Sequence, residues 1–331
     1  MLDGLVQSAP ATLADQTVRM VSTVTLAHLS DVHLAPLEGF TMPYWNLKRA
    51  LGFLNWQRGR VRVHQRGVAD KIAADVRAQA PDHIAVSGDL ANLGLPAEYR
   101  AARLWLETLG SPDRVSVVPG NHDVYTGRMH GASCLADWAH FMASDAWGSD
   151  LLGHHRGFPY VRHIGPVALI GVNSAVPTPP FVAAGRLGAH QIAALANVLD
   201  RVRGEGLARV VMIHHPPLPG QAPKRRALED APALKAVLGQ HGAELVLHGH
   251  NHTETVVWLP SAQGDIPICG IASASAGVAH HDEPLARYAL YQFEQSINGS
   301  KTLIVHRITR GLAVVGGDVV ELSRSVLKPI S

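Results

Sequence analysis

Five short blocks of the sequence concentrate side chains that bind metal ions and move protons. They are Ser30-Asp31-Val32-His33, Gly88-Asp89, Gly120-Asn121-His122-Asp123, His214-His215-Pro216-Pro217 and Gly249-His250-Asn251-His252. Carboxylate oxygen combined with imidazole nitrogen suits zinc, manganese or iron better than calcium or magnesium. A lone Asp or Asn after a strand usually caps a turn, so no block is strong by itself. On extended chain, however, residues two apart point the same way, which would let Asp31 and His33 converge on one ion. The same alternation recurs at His250 and His252, where Gly249 is expected to permit a turn that other residues resist. Five blocks in one chain argue against a set of unrelated turn formers.

Each block follows an apolar run, at 24–29, 83–86, 115–118, 210–213 and 245–247, which reads as five strands delivering polar residues at their C-terminal ends. Between them, 68–80, 97–109, 189–202 and 231–238 carry helical periodicity, the second behind Pro96. Alternation of this kind predicts an α/β fold, a helix-covered sheet with its site at the strand ends. After His252 the runs 255–259, 266–271, 288–293 and 303–308 have no helix between them and predict a second, largely antiparallel sheet.

With 331 residues, 47% hydrophobic and 17% charged, the chain has the composition of a folded globular protein, neither disordered nor a disulfide-stapled miniprotein. Its 29 basic and 27 acidic residues are too balanced for nucleic acid to be the main partner. Cys134 and Cys269 lack metal or redox spacing, which fits a reducing, cytoplasmic compartment. Residues 1–20 contain Asp3 and Asp15 and no continuous apolar run, so they read as a disordered leader before a single domain spanning 21–331.

Taken in order, the five blocks resemble the calcineurin-like metallophosphoesterase superfamily, most of all its bacterial class III cyclic-nucleotide phosphodiesterases and glycerophosphodiesterases. The resemblance implies a four-layer αββα sandwich, two facing mixed sheets flanked by helices, and two metal ions about 3.5–4 Å apart. Asp31, His33, Asp89 and His252 would hold the first ion; Asp89, as the bridge, with Asn121, His214 and His250 would hold the second. A metal-bridging hydroxide would attack phosphorus. His122 would contact a phosphate oxygen or protonate the departing alkoxide, while Asp123 would either orient that ring or cap a turn. His214 and His215 both fit a His-x-Pro register; the end of the preceding strand favours His214 as ligand and leaves His215 either packed behind the ligands or facing substrate. Arg225 and Arg226 follow closely enough to approach a phosphate. The implied substrate is a phosphodiester, with a pyrophosphate in a nucleotide-linked lipid of the UDP-diacylglucosamine type as the alternative. A non-catalytic metal-binding scaffold is disfavoured because every ligand position is filled.

Fifty-eight positions separate Asp31 from Asp89, which is long for that family and implies an insertion at about 39–69. This segment carries Lys48, Arg49, Arg58, Arg60, Arg62 and Arg66 and no acid, so it is +6 against −4 for the rest. It also holds Phe40, Tyr44, Trp45, Phe53 and Trp56. Thr41 can cap a helix opening at Pro43 with Tyr44, Leu47, Leu51 and Leu54 on one face. Two readings stay open: a helix packed on the core with solvated charges, or a rim for an anionic, partly apolar substrate, including one at a membrane surface. The region 125–163, with Trp138, Phe141, Trp147 and Phe158, is expected to form a second cleft wall. His154, His155, His280 and His281 read as solvated loop residues.

Overall fold

The computed structural model describes residues 21–37, 40–41, 44–126, 133–153, 157–296 and 303–327. The expected leader and the His154–His155 pair lie outside them. The strands are β1 (Val21–Leu29), β2 (His83–Val86), β3 (Val115–Val117), β4 (Tyr160–Ile164), β5 (Val167–Gly171), β6 (Ala208–Met212), β7 (Leu245–His248), β8 (Thr255–Leu259), β9 (Ile266–Gly270), β10 (Arg287–Ser296), β11 (Leu303–Leu312) and β12 (Val319–Leu327). The helices are α1 (Leu47–Asn55), α2 (Val61–Val63), α3 (Arg66–Ala78), α4 (Pro96–Leu109), α5 (Cys134–Asp137), α6 (Ala146–Leu151), α7 (Ala189–Gly204) and α8 (Ala231–His241). Among the described residues no helix is long and apolar enough to cross a membrane.

Two six-stranded mixed sheets result, ordered β12-β11-β10-β1-β2-β3 and β4-β5-β6-β7-β9-β8. Period-two burial in the second sheet explains the layering. Val210 and Met212 of β6 join the core between the sheets, whereas Val211 and Ile213 join a second core with Leu195 and Leu199 of α7 and Leu234 and Leu238 of α8. On the other side Ile72 and Val76 of α3 and Trp105 and Leu106 of α4 pack with β1, β2 and β3. The αββα sandwich is therefore built as its apolar alternation demands.

The strands after His252 do not form a sheet of their own. β8 and β9 extend the second sheet, β9 running parallel to β7, while β10 pairs antiparallel with β1 and carries β11 and β12 beyond it. Parallel β1-β2-β3 and parallel β5-β6-β7 each bring their C-terminal ends to one edge, and a bridge between Ser30 and Ser273 joins the two sheets there.

Candidate metal centre

The loops leaving β1 and β2 run side by side, with the amides of Asp31, His33 and Leu34 donating to the carbonyls of Gly88, Asp89 and Leu90, each at 2.9 Å. They are not extended. Asp31, His33, Asp89, His250 and His252 all have left-handed backbone, with φ between 41° and 70°. Convergence of Asp31 with His33 thus comes from curled turns beyond the strand end and not from strand alternation. A non-glycine residue held in this region costs about 1–3 kcal/mol, a strain that surrounding structure must over-determine. Gly249 serves through its missing side chain, since a Cβ there would collide with Ser30 and Asp31.

Two buried groups form where these loops meet: Asp31 with His33 and His252, and Asp89 with His214 and His250, the candidate ligand atoms of each lying within 4.8 Å of one another. In the first, His252 Nε2 lies 3.3 Å from His33 Nε2 and 3.2 Å from Asp31 Oδ1. The opposite ring nitrogens are engaged, His33 Nδ1 with the Ala91 carbonyl at 3.2 Å and His252 Nδ1 with the Glu283 carboxylate at 2.8 Å. With both rings neutral, those partners would leave two Nε2 lone pairs facing each other beside a carboxylate. In the second, His214 Nδ1 donates to the Ser87 carbonyl at 2.6 Å. His214 Nε2 faces Asn121 Oδ1 and His250 Nδ1, both at 3.2 Å, and Asp89 Oδ2 at 3.4 Å. Asp89 Oδ2 also lies 3.9 Å from His33 Nε2, so one carboxylate oxygen faces both groups.

Asp31 Oδ1 is buried and, apart from His252 Nε2, meets no donor. Acceptors packed against acceptors repel unless positive charge sits among them, and a nitrogen-plus-carboxylate set fits transition-metal ions in both groups. The electrostatics agree. Burial disfavours charge on His252, yet the neighbouring Asp31 carboxylate prevails and pushes its pKa up to about 9. At His214 burial is overridden in the same way by Asp89, again to about 9. Burial would raise Asp89, but His214 beside it holds the carboxyl well below its usual range.

A cleft of about 660 Å³ opens over Asp89, Asn121, His250 and His252. His122 lines it in a form the sequence did not anticipate. Its Nδ1 donates to the Asn92 carbonyl at 2.6 Å and its Nε2 accepts from Arg60 Nη1 at 2.8 Å. Burial, then the Arg60 cation, lowers its pKa to about 3, so the resting ring is neutral and its Nε2 is not a donor. Asp123 does not orient that ring. Its buried carboxylate accepts from the amides of Asp89, Leu90, Ala91 and Gly120, which ties the second and third blocks together. His215 does not face substrate either: it is fully buried, with Nδ1 at 2.8 Å from Ser174 Oγ and Nε2 at 3.2 Å from the Ala183 carbonyl, and its ring lies behind His250 at 4.5 Å. Arg226 lines the cleft and donates to the His250 carbonyl at 2.9 Å, whereas Arg225 is exposed and does not line it.

Sequence reasoning missed His64 and Glu283. His64 is buried, bonded through Nδ1 to Ser275 Oγ at 2.9 Å, with its ring 4.5 Å from that of His33. His64 has no metal-type neighbour in sequence to signal it, and Glu283 follows Asp282 in the His280-His281 run that reads as solvated loop. Of the expected wall at 125–163, Tyr125 lines the cleft, whereas Trp138, Phe141 and Phe158 pack with the larger core and Trp147 with the second core. Leu51, Leu54 and Trp56 line one side of the cleft, and Phe181 and Val182 line it from the loop after β5. α1 itself starts later than expected, capped by Asn46, whose side chain accepts from the Arg49 amide at 2.9 Å, so Thr41 is not its cap.

A two-sheet sandwich presenting two adjoining Asp/His groups on the floor of a cleft is the architecture of a metal-dependent phosphoric ester hydrolase. The chain belongs to the calcineurin-like phosphoesterase family, whose model matches residues 24–254. It is 26% identical over 257 residues to glycerophosphodiester phosphodiesterase GpdQ of Enterobacter lignolyticus, covering 74% of this chain and 79% of that protein. Over 179 residues it is 30% identical to a cAMP/cGMP dual specificity phosphodiesterase of Mycobacterium tuberculosis, covering 53% of this chain and 50% of that one. In fold it is similar to a dimetal phosphatase from Danio rerio, with a TM-score of 0.55 at 14% identity over 93% of this chain and 99% of that one.

Proposed function

We propose that this chain hydrolyses phosphodiesters at a dinuclear centre, with Asp31, His33, Asp89 and His252 holding one ion and Asp89, Asn121, His214 and His250 the other. The observation that carries this reading is Asp89 Oδ2, which faces imidazole nitrogens of both groups. Bound manganese, iron or zinc ions would polarise the phosphoryl oxygens and acidify water. The chain's own residues do the positioning. Glu283, Ala91 and Ser87 fix the rings of His252, His33 and His214, an outer layer whose loss typically weakens metal binding by about 10–100-fold. His122, locked through Nδ1 to Asn92, turns its Nε2 edge to the cleft for contact with phosphate or leaving group. The names of the two relatives, both phosphodiesterases, support the diester over a monoester.

On this reading residues 39–69 are an insertion into one domain, and they form a rim rather than a packed helix. Leu47 is 71% and Trp45 51% exposed, and Phe181 at the cleft is 75% exposed. That apolar rim favours a second reading, hydrolysis of a pyrophosphate in a nucleotide-linked lipid or another substrate presented at a membrane surface. The two buried, unpaired cysteines fit a cytoplasmic placement. The test is metal analysis together with a panel of diester, monoester and pyrophosphate substrates on wild type and Asp89→Ala. The variant should lose bound metal and nearly all hydrolysis. Wild-type rates in that variant, or after chelation, would end the dinuclear reading, and preference within the panel decides between diester and pyrophosphate.

A further inference from the structure

The six cations of the 39–69 segment are not equivalent. Lys48 Nζ donates to the Tyr125 and Thr178 carbonyls at 2.7 Å, and buried Arg49 donates to the carbonyls of Leu93 and Gly94 at 3.0 and 2.7 Å. Arg66 pairs with Asp70 at 2.9 Å. These three are committed to structure. Arg60 is different: it is half-buried, it lines the cleft beside Asp89 and His122, and among the described residues it makes no ion pair. Its one side-chain hydrogen-bond partner is the neutral His122 ring, reached through Nη1, which leaves the rest of the planar fork without an acceptor. The Asp89 and Glu283 carboxylates nearby are occupied, one by the His122 amide and by His214, the other by His252. Burial disfavours the Arg60 charge, the nearby Asp89 and Glu283 carboxylates favour it without bonding to it, and Arg226, which also lines the cleft, opposes it.

A guanidinium brought partly out of water without a carboxylate is expensive unless an anion completes it. The local backbone shows how it is brought there. Between α1 and α2 the chain forms a π-helical turn, Trp56–Arg60, an irregularity common at functional sites. It sends Arg60 toward His122 while Arg62 remains exposed.

We propose that Arg60 is the phosphate-binding arginine of this enzyme, resting on His122 Nε2 in the free protein and exchanging that contact for a non-bridging phosphoryl oxygen when substrate enters. The exchange also uncovers the His122 edge, so that one residue of the segment binds the phosphate and opens the ring beside it. Arginine suits the role because its fork meets a phosphoryl group through two parallel bonds. The inference rests on the phosphoesterase reading above, and its test is arranged to fail separately.

The experiment measures steady-state hydrolysis of bis(4-nitrophenyl) phosphate and calorimetric binding of inorganic phosphate to the manganese-loaded protein, for wild type, Arg60→Gln and Arg60→Lys. Loss of a charge-assisted contact should raise both KM and the phosphate Kd by about 10- to 100-fold in Arg60→Gln, with kcat changed less. Bound metal should stay at the wild-type level, and Arg60→Lys should recover part of the affinity. Unchanged KM and phosphate Kd in a folded, metal-loaded Arg60→Gln would overturn the assignment. Should Gln unsettle the helix, Arg60→Met keeps the stem packed and carries the same expectation. If wild type turns over no diester, the phosphodiesterase reading falls, while phosphate binding still decides the role of Arg60.

Discussion

At the residue scale, each buried group contains one histidine that binds positive charge avidly. His252 and His214 hold a proton up to about pH 9 in the metal-free protein because Asp31 and Asp89 lie against them. A metal ligand must shed that proton, so proton and metal compete for one lone pair. The sign follows: below about pH 9 the metal-free protein keeps the protons, and apparent affinity should climb with pH by about tenfold per unit for each proton displaced. Calorimetry of manganese or zinc loading in buffers of different ionisation enthalpy, between pH 6 and 9, should show proton release; an affinity flat across that window would contradict protonated resting rings. The five blocks that hold the proposed ligands stood out in sequence because their types are chemically narrow and each follows an apolar run, while the choice of seven ligands came from the family resemblance. How they converge was not legible. Left-handed turns at Asp31 and His33 leave no mark in a sequence that contains neither glycine nor asparagine at those positions. Which of the roles left open for His215 and Asp123 each takes was not legible for a related reason. Whether a polar side chain faces a cleft or the amides of the next loop is settled by loops distant in sequence.

At the element scale, the segment carrying α1 is fastened on its polar side and left open on its apolar side. Lys48 and Arg49 tie it to the loops at Tyr125, Thr178 and Leu93, while Leu54 is 45% exposed at the cleft. Leu51→Ala and Leu54→Ala should therefore change stability by about 1 kcal/mol or less, well short of the roughly 2–5 kcal/mol of a core leucine. They should raise KM for diesters with a bulky apolar arm far more than for a small aryl diester. Paired melting curves and kinetics check this: a lowered melting temperature with unchanged relative rates would make α1 an ordinary packed helix. Amphipathic periodicity announced this helix but could not say which side of it meets solvent. Three strands escaped sequence reading, β4, β5 and β12; β5 is apolar and fully buried, and the other two have plain causes. β12 is mostly exposed and alternates polar residues with valine, and β4 contains Arg162, whose charge is absorbed by the carbonyls of Ala143 and His140. Neither presents the apolar run that marks an interior strand.

At the scale of the whole molecule, the family match ends at residue 254, yet the first sheet is not complete there. β1, which leads into Asp31 and His33, is interior only because β10 pairs along it from Val21 to His28. A chain ended after Glu283 keeps every residue proposed to touch metal or phosphate and removes β10, β11 and β12. It should lose its cooperative thermal transition and its tight metal sites, because β1 becomes a bare edge and buried Tyr288, Tyr291 and Phe293 no longer cover the core. Two metals per chain and a sharp melting curve in that truncation would show the C-terminal strands to be dispensable.

The pairing of β1 with β10 also sets a clock. Asp31 leaves the ribosome roughly 250 residues before the strand that flanks it, an interval of tens of seconds at about 5–20 residues per second. Throughout that interval the nascent chain displays its first carboxylate and imidazole on an unfinished sheet. The proposed dinuclear centre therefore waits for β10, and strands made long after Asp31 and His33 decide when these first ligands become a binding site.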